Sequence, residues 1–166
     1  MRVEPTKLEG VLLITPDTFK DNRGTYVESY NAKEYYPMHF VQDDFSISKR
    51  NVLRGIHGDD ETWKLVSCPV GSIFLVVVNW DGDMPQYKQW DTFVLNGDRY
   101  QQILIPPKFG NGHLVLSDMA VFHYKQSTYY NPSTQFSIPY NDPRLGISWP
   151  ILLGELPITS ERDRRV

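Results

Sequence analysis

Apolar and polar positions alternate in short runs along nearly the whole chain, and each run stops at a cluster of turn-forming residues. Val11-Leu12-Leu13-Ile14 ends at Thr15-Pro16-Asp17, and Thr25 to Tyr30 follows Asp21-Asn22-Arg23-Gly24. Trp63 to Ser67 stops at Cys68-Pro69-Val70-Gly71, and Ser72 to Trp80 at Asp81-Gly82-Asp83. Gln89 to Leu95 precedes Asn96-Gly97-Asp98, and Gln101 to Ile105 precedes Pro106-Pro107. His113 to Leu116 and Met119 to Gln126 are parted by Ser117-Asp118. Turn signals about every 8–12 residues, with period-two runs between them, predict an all-β antiparallel sandwich or barrel. Ala32 to Tyr36 and Pro150 to Leu153 are the two stretches with helical character, and both are short. No strand–helix–strand alternation occurs, which disfavours a doubly wound nucleotide fold. Asn131 to Pro150 reads as an extended, Pro-rich C-terminal arm, and Glu161-Arg162-Asp163-Arg164-Arg165 as a solvated tail. The expected architecture is one jelly-roll-like β domain over residues 1–166.

Composition removes several alternatives. Seventeen Lys and Arg against twenty Asp and Glu leave a net charge of −3, which argues against a nucleic-acid partner. The longest apolar run, Ile73 to Val78, is far shorter than a membrane span requires. Cys68 is the single cysteine, so neither an internal disulfide nor a zinc–thiolate cluster is available and a reducing, cytoplasmic compartment is expected. Met1-Arg2-Val3-Glu4-Pro5 begins no apolar stretch of signal-peptide length. An aromatic content of 13% excludes a disordered chain.

The four histidines are few enough to weigh one by one. His39 lies beside Pro37-Met38 in an expected loop and reads as a surface residue. His123 has the parity opposite to Tyr124, so if Tyr124 faces the interior His123 faces outward or into a subunit contact. His57 lies in the stretch Asn51 to Asp60, where an apolar strand end is interrupted by Arg54, Gly55 and His57 just before two acids. It reads either as a strand-end histidine satisfied by a carbonyl or as a functional group. Alternation places Arg54 and Ile56 on one face, and Asn111, His113 and Val115 on one face of a later strand. Cys68, next to Pro69 in an apolar stretch, reads as a small packed hydrophobe. No glycine-flanked serine elbow, GxxxxGK[ST] loop or GxGxxG turn is present. Phosphates would fall to side chains such as Arg23, Arg54 and Lys64.

A series of segments resembles the dTDP-4-dehydrorhamnose 3,5-epimerase family from about Gly10 to Asp163. They include Phe19-Lys20-Asp21-Asn22-Arg23-Gly24, Tyr26-Val27-Glu28-Ser29-Tyr30, Val41-Gln42-Asp43-Asp44-Phe45-Ser46 and Val52-Leu53-Arg54-Gly55-Ile56-His57. Lys64-Leu65-Val66, Tyr124-Lys125, Tyr129-Tyr130-Asn131-Pro132, Gly146-Ile147-Ser148-Trp149-Pro150 and Ser160-Glu161-Arg162-Asp163 follow in order. The resemblance implies a cupin-like double-stranded β-helix that forms a homodimer, needs no cofactor or metal, and epimerises a nucleotide-linked 4-keto-6-deoxy sugar at carbon 3 and/or carbon 5. By resemblance His57 is the base, Asp163 the carboxylate that fixes its tautomer, Lys64 the cation near the enolate oxygen and Tyr124 the acid on the far face. Arg23, Glu28, Gln42 and Arg54 match ligand-contacting positions, and guanidinium groups suit the diphosphate.

Two departures from the family pattern stand out. Gly58-Asp59 follow the base histidine where an aromatic residue and Gln are usual, and Asn111 stands where a second histidine is usual, with His113 two residues later. Asn111 and His113 are both retained as expected substrate contacts. These variant forms resemble a branch acting on GDP-linked keto-heptoses, so both GDP and dTDP are expected nucleotides. Two other readings compete: a metal-dependent cupin using His57, Glu61 and His113, with Asp59 as a further carboxylate, and a silent sugar-nucleotide binder. A paired histidine on one strand face is missing for the first, and retention of all four chemical groups speaks against the second.

Overall fold

A computed structural model of the chain describes residues 1–35 and 37–164. Among them the strands are β1 (Arg2–Pro5), β2 (Leu12–Thr15), β3 (Thr18–Asp21), β4 (Gly24–Val27), β5 (Gln42–Lys49), β6 (Leu53–Gly58) and β7 (Lys64–Val70). Then come β8 (Ser72–Asn79), β9 (Trp90–Asn96), β10 (Gln102–Ile105), β11 (Phe109–Val115), β12 (Met119–Gln126) and β13 (Phe136–Ser137), with one helical turn, α1 (Glu161–Arg164). Two antiparallel sheets form, ordered β1-β2-β10-β7-β12-β5 and β13-β6-β11-β8-β9, while β3 and β4 make a separate hairpin. This is the all-β sandwich that the turn spacing predicts.

Strand β8 explains the layering. Ile73, Leu75 and Val77 point into the core between the sheets, with Val66, Ile103, Ile105, Val115 and Cys68. Val76 and Val78 point the other way and are also fully buried, beneath Ile138, Leu145, Ile147 and Trp149 of the C-terminal arm. Burying two apolar faces on one strand leaves no polar alternation, hence the unbroken run Ile73 to Val78. The arm is pinned by indole N–H donors: Trp90 Nε1 to the Leu145 carbonyl and Trp149 Nε1 to the Tyr140 carbonyl, both 2.7 Å. A third cluster covers the outside of the other sheet, where Leu65 and Leu104 lie under Tyr35, Phe40 and Trp63. Cys68 packs as a hydrophobe, and burial pushes its thiol up to about 11.

The helical expectations fail. Residues 32–34 form a turn, and Tyr36 lies outside the described residues. Burial of Tyr35, whose hydroxyl donates to Gln102 Oε1 at 2.7 Å, decides that segment, and Pro37 stops it. Residues 150–153 are extended and then turn, since so few residues between Pro150 and Gly154 cannot nucleate a helix. The helix forms instead in the segment expected to be a solvated tail. Ser160 Oγ accepts the Asp163 backbone N–H at 3.2 Å, a Ser-x-x-Asp cap. Arg165 lies outside the described residues.

Strand β5 is inverted relative to the hydrophobic expectation: Phe45 and Ile47 are 68% and 62% exposed, while Ser48 is buried. The predicted faces of β6 also change. Pairing with β11 slips between Asn111 and His113, so Ile56 enters the outer cluster while Arg54, Gly55 and His57 face the space between the sheets. Bulges re-aim side chains in this way.

Gly58 is where β11 and β13 crowd β6. A Cβ there would lie 2.4 Å from the Phe109 carbonyl oxygen and 2.4 Å from Phe136 Cζ. Gly58→Ala should therefore destabilise the fold by about 1–3 kcal/mol. The urea midpoint should fall with an unchanged denaturant slope.

Candidate active site

A cavity of about 570 Å³ opens between the two sheets. From the five-stranded sheet, β6 contributes Arg54 and His57, and β11 contributes Asn111 and His113; Asn111 pairs with His57 in register. From the six-stranded sheet, β7 contributes Lys64 and β12 contributes Tyr124 and Gln126. Tyr124 pairs with Val66 and Gln126 with Lys64, so Lys64 and Tyr124 are diagonal neighbours on one inner face. The mouth is finished by Tyr130, Gln135, Arg162 and Asp163. Of the expected groups, His57, Lys64, Tyr124, Asp163, Arg54, Asn111 and His113 are thus brought together.

His57 is held from both sides. Nε2 lies 2.7 Å from Asp163 Oδ1, an ion-pair contact outside ordinary hydrogen-bond alignment, and Nδ1 lies 3.0 Å from Ser137 Oγ. Ser137 Oγ in turn accepts from Arg162 Nε at 3.2 Å. Burial works to raise the Asp163 carboxyl, but His57 and Ser160 outweigh it and hold the group below the ordinary carboxylate range. Burial, reinforced by Asp44 and Tyr130, raises the Tyr124 phenol, so it stays protonated as a donor. Burial lowers the Lys64 ammonium and Asp59 opposes that effect. Arg54 donates from Nε to Ser48 Oγ at 3.0 Å, an inward hydroxyl of the inverted strand.

Three expected contacts lie outside this cavity. Gln42 acts from behind: its Oε1 accepts the Tyr130 backbone N–H at 2.8 Å, and its Nε2 donates to Asp44 at 2.6 Å. Arg23 pairs with Asp21 on the exposed β3–β4 hairpin, and Glu28, just beyond it, accepts from Asn31. The metal alternative is not assembled. Glu61 is exposed and away from the cavity lining, and among the described residues no group of three His, Cys, Asp or Glu could hold a metal ion. His123 faces outward as its parity predicts, bonded to Ser67 and Asp43. Sequence reasoning assigned no role to Ser137, Gln135 or Tyr130. Tyr130 sits in a segment that carried the resemblance, whereas Ser137 and Gln135 carry no local signal because only the fold-back of β13 brings them to β6.

Residues 5–166 match the family described as dTDP-4-dehydrorhamnose 3,5-epimerase. The chain is similar to the dTDP-4-dehydrorhamnose 3,5-epimerase of Escherichia coli K12, with 40% identity over 100% of this chain and 93% of that protein. It also resembles the crystal structure of dTDP-6-deoxy-D-glucose-3,5-epimerase from Legionella pneumophila in complex with dTDP-4-keto-L-rhamnose. That match has 40% identity and a TM-score of 0.92, covering 98% of this chain and 89% of that one. The Bacillus anthracis dTDP-4-dehydrorhamnose 3,5-epimerase with TDP and pyrophosphate bound aligns with a TM-score of 0.92 at 33% identity, over 98% and 96%. Among the described residues no helix is long and apolar enough to cross a membrane.

His113 yields a pH prediction. Its ring stacks on Phe122 at 4.2 Å, its Nε2 is buried without a partner, and burial, then Arg54, lowers its pKa to about 3. The unfolded chain takes up that proton near pH 6.5, so this residue costs no stability above that value. Below it, down to about pH 3, stability falls by up to about 1.4 kcal/mol per unit. Urea unfolding at pH 7, 6 and 5 should show this slope, and His113→Phe, which keeps the ring stack, should flatten it. Equal slopes in the two proteins would contradict the assignment.

Proposed function

Because the chain belongs to the dTDP-4-dehydrorhamnose 3,5-epimerase family, we propose that it epimerises a dTDP-linked 4-keto-6-deoxy sugar at carbon 3, carbon 5 or both. The observation that carries this reading is the opposition of two walls: the His57–Asp163 pair on β6 and α1 faces Lys64 and Tyr124 on β7 and β12. The ketone acidifies its neighbouring C–H bonds. With Nε2 turned to Asp163, Nδ1 of His57 exchanges its contact with Ser137 Oγ for the substrate and takes the proton, and the C–H electron pair becomes the C=C bond of an enolate. Lys64 stabilises the oxygen that gains the charge. Tyr124 returns a proton from the opposite face, which inverts the centre, and solvent restores both groups. No cofactor is required, since the electrons stay on the sugar.

Arg54 supplies a guanidinium to the diphosphate from within the cavity. Arg23, on the exposed hairpin, and Glu28, just beyond it, lie outside the cavity, so we assign them to the cavity of a second copy in a homodimer. The dTDP names of the relatives favour dTDP over GDP. Incubation with dTDP- and GDP-linked 4-keto-6-deoxy sugars in deuterated water tests the whole reading. Deuterium should enter carbon 3 or 5 of the dTDP-linked sugar, and His57→Ala should slow entry by roughly 10²–10⁴-fold. No incorporation from any such substrate would overturn it.

Asn111, opposite His57 in register, offers a finer check. Asparagine donates and accepts but does not titrate. Asn111→His places a second ionisable ring beside the base. It should shift the acid limb of the pH–rate profile toward lower pH more than it reduces the maximum rate. An unmoved limb with altered substrate affinity would mean that Asn111 only positions the sugar.

A further inference from the structure

Beside the cavity lie two buried ionisable groups of opposite sign, Asp59 and Lys64, 3% and 7% exposed. Asp59 closes the turn after β6. Its Oδ1 accepts the backbone N–H of Glu61 at 3.0 Å and of Thr62 at 2.7 Å. Its Oδ2 accepts Gln135 Nε2 at 2.9 Å and faces Lys64 Nζ at 3.7 Å. Every partner is a donor, an environment that suits only the ionised carboxylate. At 3.7 Å the ammonium is beyond a hydrogen bond yet well within charge contact. Its hydrogens are therefore not consumed by Asp59.

The other carboxylates on this side of the molecule are engaged elsewhere: Asp163 with His57, and Asp44 with Gln42 and Gln126. The remaining ionisable groups around the cavity are Arg54 and His57 on β6, His113 on β11, Tyr124 on β12, and Tyr130 and Arg162 at the mouth. They are basic or phenolic and lend Lys64 no negative charge. Strand β10, paired to Lys64 through Ile105, presents no titratable group. Among the described residues Asp59 is the anion that meets Lys64 within 4 Å.

We propose that Asp59 is a positioning residue that keeps the buried Lys64 protonated and leaves its hydrogens directed at the substrate oxygen. This role presupposes the epimerase reading of Lys64. Gln135 completes the device by holding Asp59 Oδ2 from the cavity mouth.

The test follows the lysine itself. The protein is labelled with ¹³C at lysine Cε, the Lys64 signal is assigned by its loss in Lys64→Arg, and pH is titrated in the wild type and Asp59→Asn. Asparagine keeps an oxygen for the Glu61 and Thr62 N–H groups, so the turn is preserved. Lys64 should be charged at pH 7 in the wild type, and its midpoint should fall by at least one unit in Asp59→Asn, about tenfold in the protonation equilibrium. The alkaline limb of kcat/KM should move by the same amount, while Asp59→Glu should restore much of it. A neutral Lys64 at pH 7 in the wild type, or an unmoved midpoint in Asp59→Asn, would overturn the proposal. Should Asp59→Asn fail to fold, a neutral Lys64 at pH 7 in the wild type still overturns the proposal, and Asp59→Glu, which displaces the carboxylate, supplies the comparison of midpoints. The lysine signal is read without turnover. A protein with no deuterium incorporation but an Asp59-dependent Lys64 midpoint would therefore sink the epimerase reading and uphold the ion pair.

Discussion

The requirement to bury both faces of β8 organises this molecule. Leu75 and Val77 are satisfied by the opposite sheet, but Val76 and Val78 would face water unless another part of the chain covered them. The arm does so, and the indoles of Trp90 and Trp149 tie it down through its own carbonyls. In crossing that face the arm lays β13 beside β6 and carries α1 back to the cavity mouth. Ser137 and Asp163, the two groups that flank His57, both arrive by this route. Hydrophobic coverage and assembly of the polar site are one and the same path of the backbone.

The interior of the sandwich is divided accordingly. At one end it is dry, filled by Ile73, Leu75, Ile103 and Val115. At the other it is polar, and buried charges persist because each has a local partner: Asp163 with His57, Lys64 with Asp59. Strand β5 follows the polar end, turning Ser46 and Ser48 inward and leaving Phe45 and Ile47 outside. Its exposed apolar face is compatible with the homodimer proposed above.

Much of this was legible in the sequence. Period-two runs bounded by Gly, Pro and Asp revealed β2, β7 to β10 and β12 because each buries at least one regular face. Strand β5 escaped because its apolar residues face outward, and β13 because two residues cannot show a period. The short helix was hidden by its charges, although Ser160 three residues before Asp163 is a capping signal. His57, Lys64, Tyr124 and Asp163 were found through resemblance, not through spacing, since they lie on four separate elements. Asp59 was visible only as a possible metal ligand. Its carboxylate takes on another meaning once folding places it against Lys64, a distance of five residues in sequence but 3.7 Å in space.

The position of α1 also sets an order of events during synthesis. Every strand of both sheets precedes Asp163 in the chain, so a ribosome delivers the whole sandwich before it delivers the carboxylate that meets His57. Domains generally fold as units. His57 therefore gains its carboxylate partner only once α1 has been synthesised. A single turn of helix thus completes the pairing of His57 with Asp163.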